Sequence, residues 1–228
     1  MDLKKRLENV NDRIKKAALT CGRDPENIHL VAVSKTISTN RVKEAIELGV
    51  TILGENYVQE ARDKFNLLGT YPVSWHFIGH LQTNKAKYAV RLFDLIHSVD
   101  TLKLARELDK QAKKVNKVQD ILIQINVSKE PSKSGSDMEN AANLIKDIER
   151  LENLSVKGLM AMPPFYNNPE KARPYFIALR NLRDQIQKTL PGVALDELSM
   201  GMTGDFEVAI EEGATFVRIG TAIFGERR

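Results

Sequence analysis

With one cysteine, Cys21, in 228 residues, the chain cannot form an internal disulfide. An unpaired thiol suits a reducing compartment, so a cytoplasmic protein is expected. Long apolar runs are missing too, and none approaches the roughly 20 residues that cross a bilayer. The opening segment MDLKKRLENVNDRIKKAA is charged throughout and lacks the apolar centre of a signal peptide. Aromatic residues make up only 6% of the chain, and no stacking platform for single-stranded nucleic acid is visible. The four histidines offer no metal site. His76 and His80 stand four apart, but SWHFIGH reads as a strand entering a loop, and no Cys, Asp or Glu cluster has ligand spacing. Neither a Ser-His-Asp arrangement nor a nucleotide-loop motif is readable. No linker, low-complexity stretch or short-period repeat divides the sequence.

What is present is ordinary for a soluble globular protein: 42% hydrophobic and 28% charged residues. The length buries ample core and fits a single domain over 1–228. The net charge is +4, from 34 basic and 30 acidic residues that are interspersed along the chain. Lysine-rich stretches such as KQAKKVNK read as solvated helix faces, so neither nucleic acid nor membrane is an expected partner.

Short β-branched runs alternate with helix-period segments. Strands are predicted at 29–34, 51–54, 75–79, 94–99, 120–127, 155–162, 196–200 and 215–220. Helices are predicted at 39–48, 56–67, 82–91, 101–115, 137–151, 170–189 and 204–212, with an extra helix at the N-terminus. Gly49 and Gly213 stand where helices should stop, and Pro163-Pro164 where a strand should end. Strands alternating with helices imply parallel pairing with right-handed crossovers. Eight units fit a (β/α)8 TIM barrel of the α/β class with that extra N-terminal helix, and the rival is an open doubly wound sheet.

Function in such a barrel sits after the C-terminal strand ends. Lys35 follows the apolar run LVAVS there. Partial burial disfavours its charged form and favours a nucleophilic amine, although a lysine snorkelling into solvent also fits. The segments SMGMTGDFEVAI and VRIGTAIFG each combine a strand end, a glycine and a hydroxyl. Ser199 and Thr203 on one loop, with Gly220 and Thr221 on the next, could cradle a phosphate; Thr203 could equally cap the following helix. Strand alternation puts Arg218 on one face with Phe216, where an inward guanidinium needs an acceptor or an ion-pair partner. Met160, Met162, Met200 and Met202 read as packing around the barrel mouth.

The motifs VAVSKT, LGENYVQEA, WHFIGHLQTNK and LSMGMTGDFEVAIEEGATFVRIGTAIFGER stand in that order over nearly the whole chain. Together they resemble the pyridoxal phosphate homeostasis proteins, which are similar to the N-terminal barrel of alanine racemase. The resemblance implies that Lys35 forms the internal aldimine with pyridoxal 5′-phosphate (PLP). It implies that Ser199 and Thr203, with the backbone of Gly220 and Thr221, take the phosphate, and that Arg218 faces the pyridine nitrogen. Asn56 lies in the matching GEN motif, where a cofactor contact is expected. Where Thr203 stands the family more often has serine; the hydroxyl survives and the added methyl alters loop packing. The segment INVSKEPSKSG fits the family pattern of a mobile loop.

PLP is a strong electron sink when its ring nitrogen is protonated opposite a carboxylate, and an arginine there disfavours that state. The expected function is therefore PLP carriage or buffering in vitamin B6 homeostasis, with apo PLP-dependent enzymes as recipients and no catalytic residue assigned. The enzymatic rival is an amino-acid racemase of weak activity. It needs a second base, which alanine racemase takes from a second domain of its partner subunit. None of Tyr57, Tyr71, Tyr88, Tyr166 or Tyr175 lies at a strand end beside Lys35. Without the domain that builds the racemase dimer, a monomer is expected.

Overall fold

The β-branched runs anticipated as strands close into a ring in the computed structural model, which describes residues 2–128, 130 and 134–226. The strands are β1 (His29–Val33), β2 (Ile52–Glu55), β3 (Ser74–Phe77), β4 (Leu95–Val99), β5 (Gln119–Ile125), β6 (Leu154–Ala161), β7 (Glu197–Met202) and β8 (Phe216–Ile219). They stand in chain order, and β8 pairs in parallel with β1, setting Ala32 opposite Ile219. That closure excludes the open sheet. The helices are α1 (Leu3–Thr20), α2 (Thr39–Glu47), α3 (Val58–Leu68), α4 (Ala86–Leu92), α5 (Leu102–Lys113), α6 (Ala141–Ile148), α7 (Arg173–Thr189), α8 (Phe206–Glu211) and α9 (Thr221–Phe224). Gly49 and Gly213 follow α2 and α8 at φ +99° and +103°, so both predicted stops are left-handed turns.

Strand alternation sorts the side chains into two compartments. Val31, Leu95, Leu122, Met160 and Phe216 meet inside the ring. Val217 and Ile219 face outward and join the larger core between strands and helices. Met200 packs in that outer core and not at the barrel mouth as anticipated, whereas Met162 is an exposed large hydrophobic.

The N-terminal helix packs on the outside of the barrel against α8 and α9. Leu3, Leu7, Val10, Ile14, Ala17 and Ala18 recur at helical spacing and are buried. Asp2 caps α1 by accepting the Lys5 N–H at 2.8 Å. Arg13 donates to Glu207 on α8 at 2.7 Å and lies over the Phe206 ring. Arg23 donates to the carbonyls of Ile210 and Ala214 at 2.7 and 2.8 Å.

Three predicted helices, α4, α6 and α7, start three or four residues later than their sequence pattern suggests. Residues 134–136 turn back onto β5: Asn126 N–H donates to Ser136 O at 3.0 Å and Ser136 N–H to Gln124 O at 2.8 Å. That pairing delays α6 to Ala141. Similarly, 3-10 turns at Thr83–Lys85 and Pro169–Ala172 precede α4 and α7. The mobile loop expected in INVSKEPSKSG falls in part on residues 129 and 131–133, which lie outside the described residues.

Candidate cofactor site

Four neighbouring strands, β7, β8, β1 and β2, carry the predicted residues to one end of the barrel. Lys35 is half-buried in the turn directly after β1. The next residue, Thr36, has φ +62°, a strained conformation for a β-branched side chain. Buried charges hold this turn from both sides. Lys64 on α3 donates to Ser34 O at 2.5 Å, to Glu55 Oε1 at 2.7 Å and to Glu60 Oε1 at 2.7 Å. Glu60 Oε1 also accepts the Thr36 N–H at 2.5 Å, and Glu55 Oε1 accepts the Ser34 hydroxyl at 2.6 Å. Burial pushes the Glu55 carboxyl up, and the Lys64 ammonium opposes that shift. Sequence reading listed neither Lys64 nor Glu60, because a charged residue on a helix ordinarily points to solvent.

Asn56 follows β2, with its backbone pressed against Gly79; a Cβ at Gly79 would lie 2.2 Å from Asn56 O. Its side-chain oxygen, Oδ1, is buried and has no hydrogen-bond partner among the described residues. A buried acceptor left open costs free energy unless a ligand completes it.

The loops after β7 and β8 meet through their hydroxyls, Thr221 Oγ1 lying 3.2 Å from Thr203 Oγ1. Gly201 lets α8 pack closely against the end of β7. Its φ is +89°, and a Cβ there would stand 2.6 Å from Ala209 Cβ. Asp205, not Thr203, occupies the cap position of α8, and its Oδ1 accepts the Met202 N–H at 2.7 Å. Thr203 is thereby released from the capping role considered above. Gly220 packs against β1, where a Cβ would come within 3.3 Å of Val33 O. Thr36, Ser38, Arg41, Thr203 and Thr221 line a cleft of about 1180 Å³ at this end, and Lys35 directly precedes Thr36 in the chain.

Arg218 points into the barrel, as the alternation on β8 requires, and is 4% exposed. Its acceptors are neutral: NH1 donates to Ser199 Oγ at 2.6 Å and NH2 to Ala161 O at 2.9 Å. The structural ion pair considered for it is replaced by these contacts, with Asp205 contributing through charge alone. Burial lowers the guanidinium to about 10, so it remains a cation at neutral pH. Ser199 departs from expectation. Its hydroxyl lies fully buried between Arg218 and His97 Nδ1, 2.8 Å away, and is not turned toward Thr203 and Thr221. The reason is strand alternation: Ser199 is directed inward within β7, whereas Thr203 lies beyond the strand end. His97 in turn contacts His76, so two histidines without a role legible in the sequence lie beneath the site. Among the described residues, no group of His, Cys, Asp and Glu could hold a metal ion. No helix among them is long and apolar enough to cross a membrane.

The family described as "Alanine racemase, N-terminal domain" matches residues 6–228. A pyridoxal phosphate homeostasis protein of Aquifex aeolicus is 48% identical over 228 residues, covering all of both chains. The solved structure of PipY from Synechococcus elongatus with PLP bound has a TM-score of 0.85 at 33% identity, covering 98% of this chain and 100% of that one. An alanine racemase of Clostridium difficile shares the fold at 15% identity, with a TM-score of 0.75; the match covers 99% of this chain and 56% of the racemase. The chain belongs to the pyridoxal phosphate homeostasis protein family, built on the alanine racemase N-terminal domain.

Proposed function

We propose that this protein binds PLP covalently through Lys35 at the barrel mouth, and that it carries or buffers the cofactor without turning over a substrate. The observation that carries the reading is the convergence of four kinds of group on adjacent strand ends. These are the half-buried Lys35 amine, the unpartnered Asn56 Oδ1, the Thr203–Thr221 hydroxyl pair and the buried Arg218 cation. A phosphorylated pyridine aldehyde needs such a set, so the residues present fit the group.

Thr203 and Thr221, with the backbone of Gly220 and Thr221, would hold the phosphate. Arg218 would face the ring nitrogen, and Asn56 would make a further polar contact. Ser199 acts through Arg218, whose NH1 it accepts. When bound, PLP supplies an aldehyde that condenses reversibly with amines and a ring that withdraws electrons. Arg218 offers donors only and stores no proton for that nitrogen. Retention and release suit this arrangement better than substrate turnover. Lys64 and Glu60 fix the turn that presents Lys35, which lowers the entropy lost on attachment. The recipients are then apo PLP-dependent enzymes, met in the cytoplasm by a single monomeric barrel over residues 1–228.

An absorption spectrum of the purified protein tests this, repeated on Lys35→Ala with borohydride trapping and peptide mass mapping. A yellow protein whose reduced pyridoxyl adduct maps to Lys35, and is lost in the variant, is expected. Failure to take up added PLP, or an adduct on another lysine, would overturn the proposal. Sustained enzymatic exchange of the alanine α-proton would overturn the non-catalytic part.

A further inference from the structure

Beneath Arg218 the barrel is not filled with apolar side chains alone. A line of hydrogen bonds runs from Arg218 through Ser199, His97 and His76 to Ser74 and Asp94, at the opposite end of the strands. The separations are 2.6 Å (Arg218–Ser199), 2.8 Å (Ser199–His97), 3.0 Å (His97–His76), 3.1 Å (His76–Ser74) and 2.9 Å (Ser74–Asp94). His76 and His97 are buried, and Phe216 lies against both rings at 5.4 and 5.5 Å.

With both rings neutral, as their burial favours, the chemistry of the two ends fixes the direction of every link. Arg218 can only donate, so Ser199 Oγ accepts from it. The Ser199 hydrogen is then free to meet His97 Nδ1, which must be bare. The His97 proton sits on Nε2 and donates to His76 Nδ1. The His76 proton likewise sits on Nε2 and donates to Ser74 Oγ. The Ser74 hydrogen goes to Asp94 Oδ2, a carboxylate that accepts. The reverse order would leave no hydrogen between Ser74 and Asp94. Each neutral ring therefore carries its one proton on Nε2.

We propose that His97 and His76 are positioning residues for the cofactor's ring nitrogen: they keep the Ser199 hydrogen turned away from Arg218, so that Ser199 serves as a fixed acceptor and the guanidinium is held in one orientation. A lone serine would rotate its hydrogen freely, and the guanidinium would lose that constraint. Links of one polarity also strengthen one another in a low-dielectric interior. The inference rests on the PLP-binding reading for its purpose, but not for the line itself.

Ring-nitrogen NMR of histidine-labelled protein, recorded without PLP, reads the line directly. Two neutral Nε2–H tautomers at His97 and His76 are expected; an Nδ1–H or a charged ring at His97 at neutral pH would overturn it. Ser74→Ala cuts the line at its far end and leaves every residue of the proposed cofactor site in place. Loss of the single tautomer at His97, a shifted absorption band and PLP affinity about tenfold weaker are expected, since one hydrogen bond to a charged group is removed from its fixed geometry. His97→Leu should weaken binding at least as much, with partial rescue in His97→Gln, whose amide both accepts and donates. Unchanged PLP affinity and spectrum in Ser74→Ala and His97→Leu together would overturn the positioning role. A wild-type protein with the expected tautomers that binds no PLP would overturn the functional reading, and with it the purpose assigned to the line.

Discussion

Replacing Lys64 with methionine should unmask the charges that shape the Lys35 turn. Lys64 is 5% exposed at its side chain and Glu55 0%, with 2.7 Å between them. Methionine fills a similar volume but removes three donated hydrogen bonds, those to Ser34 O, Glu55 and Glu60. Glu55 Oε2 already has no partner among the described residues, so the carboxylate would have only the Ser34 hydroxyl left. Breaking a buried pair by deleting one partner costs about 3–5 kcal/mol. The penalty also has a sign in pH. Without Lys64 the folded Glu55 pKa rises further above its ordinary 4.5. Stability is then fully present below about 4.5 and is lost as pH rises through the raised value, at up to about 1.4 kcal/mol per pH unit. Lys64→Met should therefore be least impaired near pH 5 and most impaired near pH 8. Adding Glu55→Gln should recover part of the loss, because no uncompensated charge remains. Urea unfolding followed by fluorescence of Trp75, the single tryptophan and 2% exposed, measures all of this. A Lys64→Met penalty under about 1 kcal/mol, or one independent of pH, would show that the pair is solvated and that this account of the turn is wrong.

Other consequences are open to equally direct measurement. His76 is lowered to about 4 and His97 well below the ordinary 6.5, both chiefly by burial, so the folded protein keeps them neutral while the unfolded chain protonates below 6.5. Stability present above pH 6.5 should fall as pH drops toward 4, by about 1.4 kcal/mol per pH unit for each histidine; urea midpoints equal at pH 7 and pH 5 would contradict a buried neutral pair. Gly201→Ala combines φ +89° with a 2.6 Å approach to Ala209 Cβ and should lower stability by roughly 1–3 kcal/mol, which a thermal melt would resolve. Thr221→Val should weaken PLP about tenfold and leave pyridoxal, which lacks the phosphate, unaffected; an equal loss for both ligands would place Thr221 away from the phosphate.

The sequence made the strand-to-helix alternation readable because burial on the faces of a parallel sheet imposes apolar, β-branched runs whatever their neighbours are. The stops at Gly49 and Gly213 were legible for the same local reason: a left-handed turn after a helix is a property of one residue. Counting along its own strand put Arg218 on one face with Phe216, and ring closure made that face the inside. Thr203 misled as a cap because Asp205 two residues later competes for that position, and the choice depends on how the β7–α8 loop folds. Ser199 misled because it faces the barrel interior within β7, whereas Thr203 lies beyond the strand end at the mouth.

What the chain determined by itself was the eightfold order of elements, the compartments of its apolar residues and the strand ends from which Lys35, Asn56, Thr203, Gly220 and Thr221 would emerge. Only the tertiary structure brought His76 and His97 into line with Ser199 and Arg218, and Lys64 beneath Ser34. Those contacts join residues 19 to 102 positions apart. They depend on ring closure, strand register and helix docking, which no local pattern in the sequence encodes.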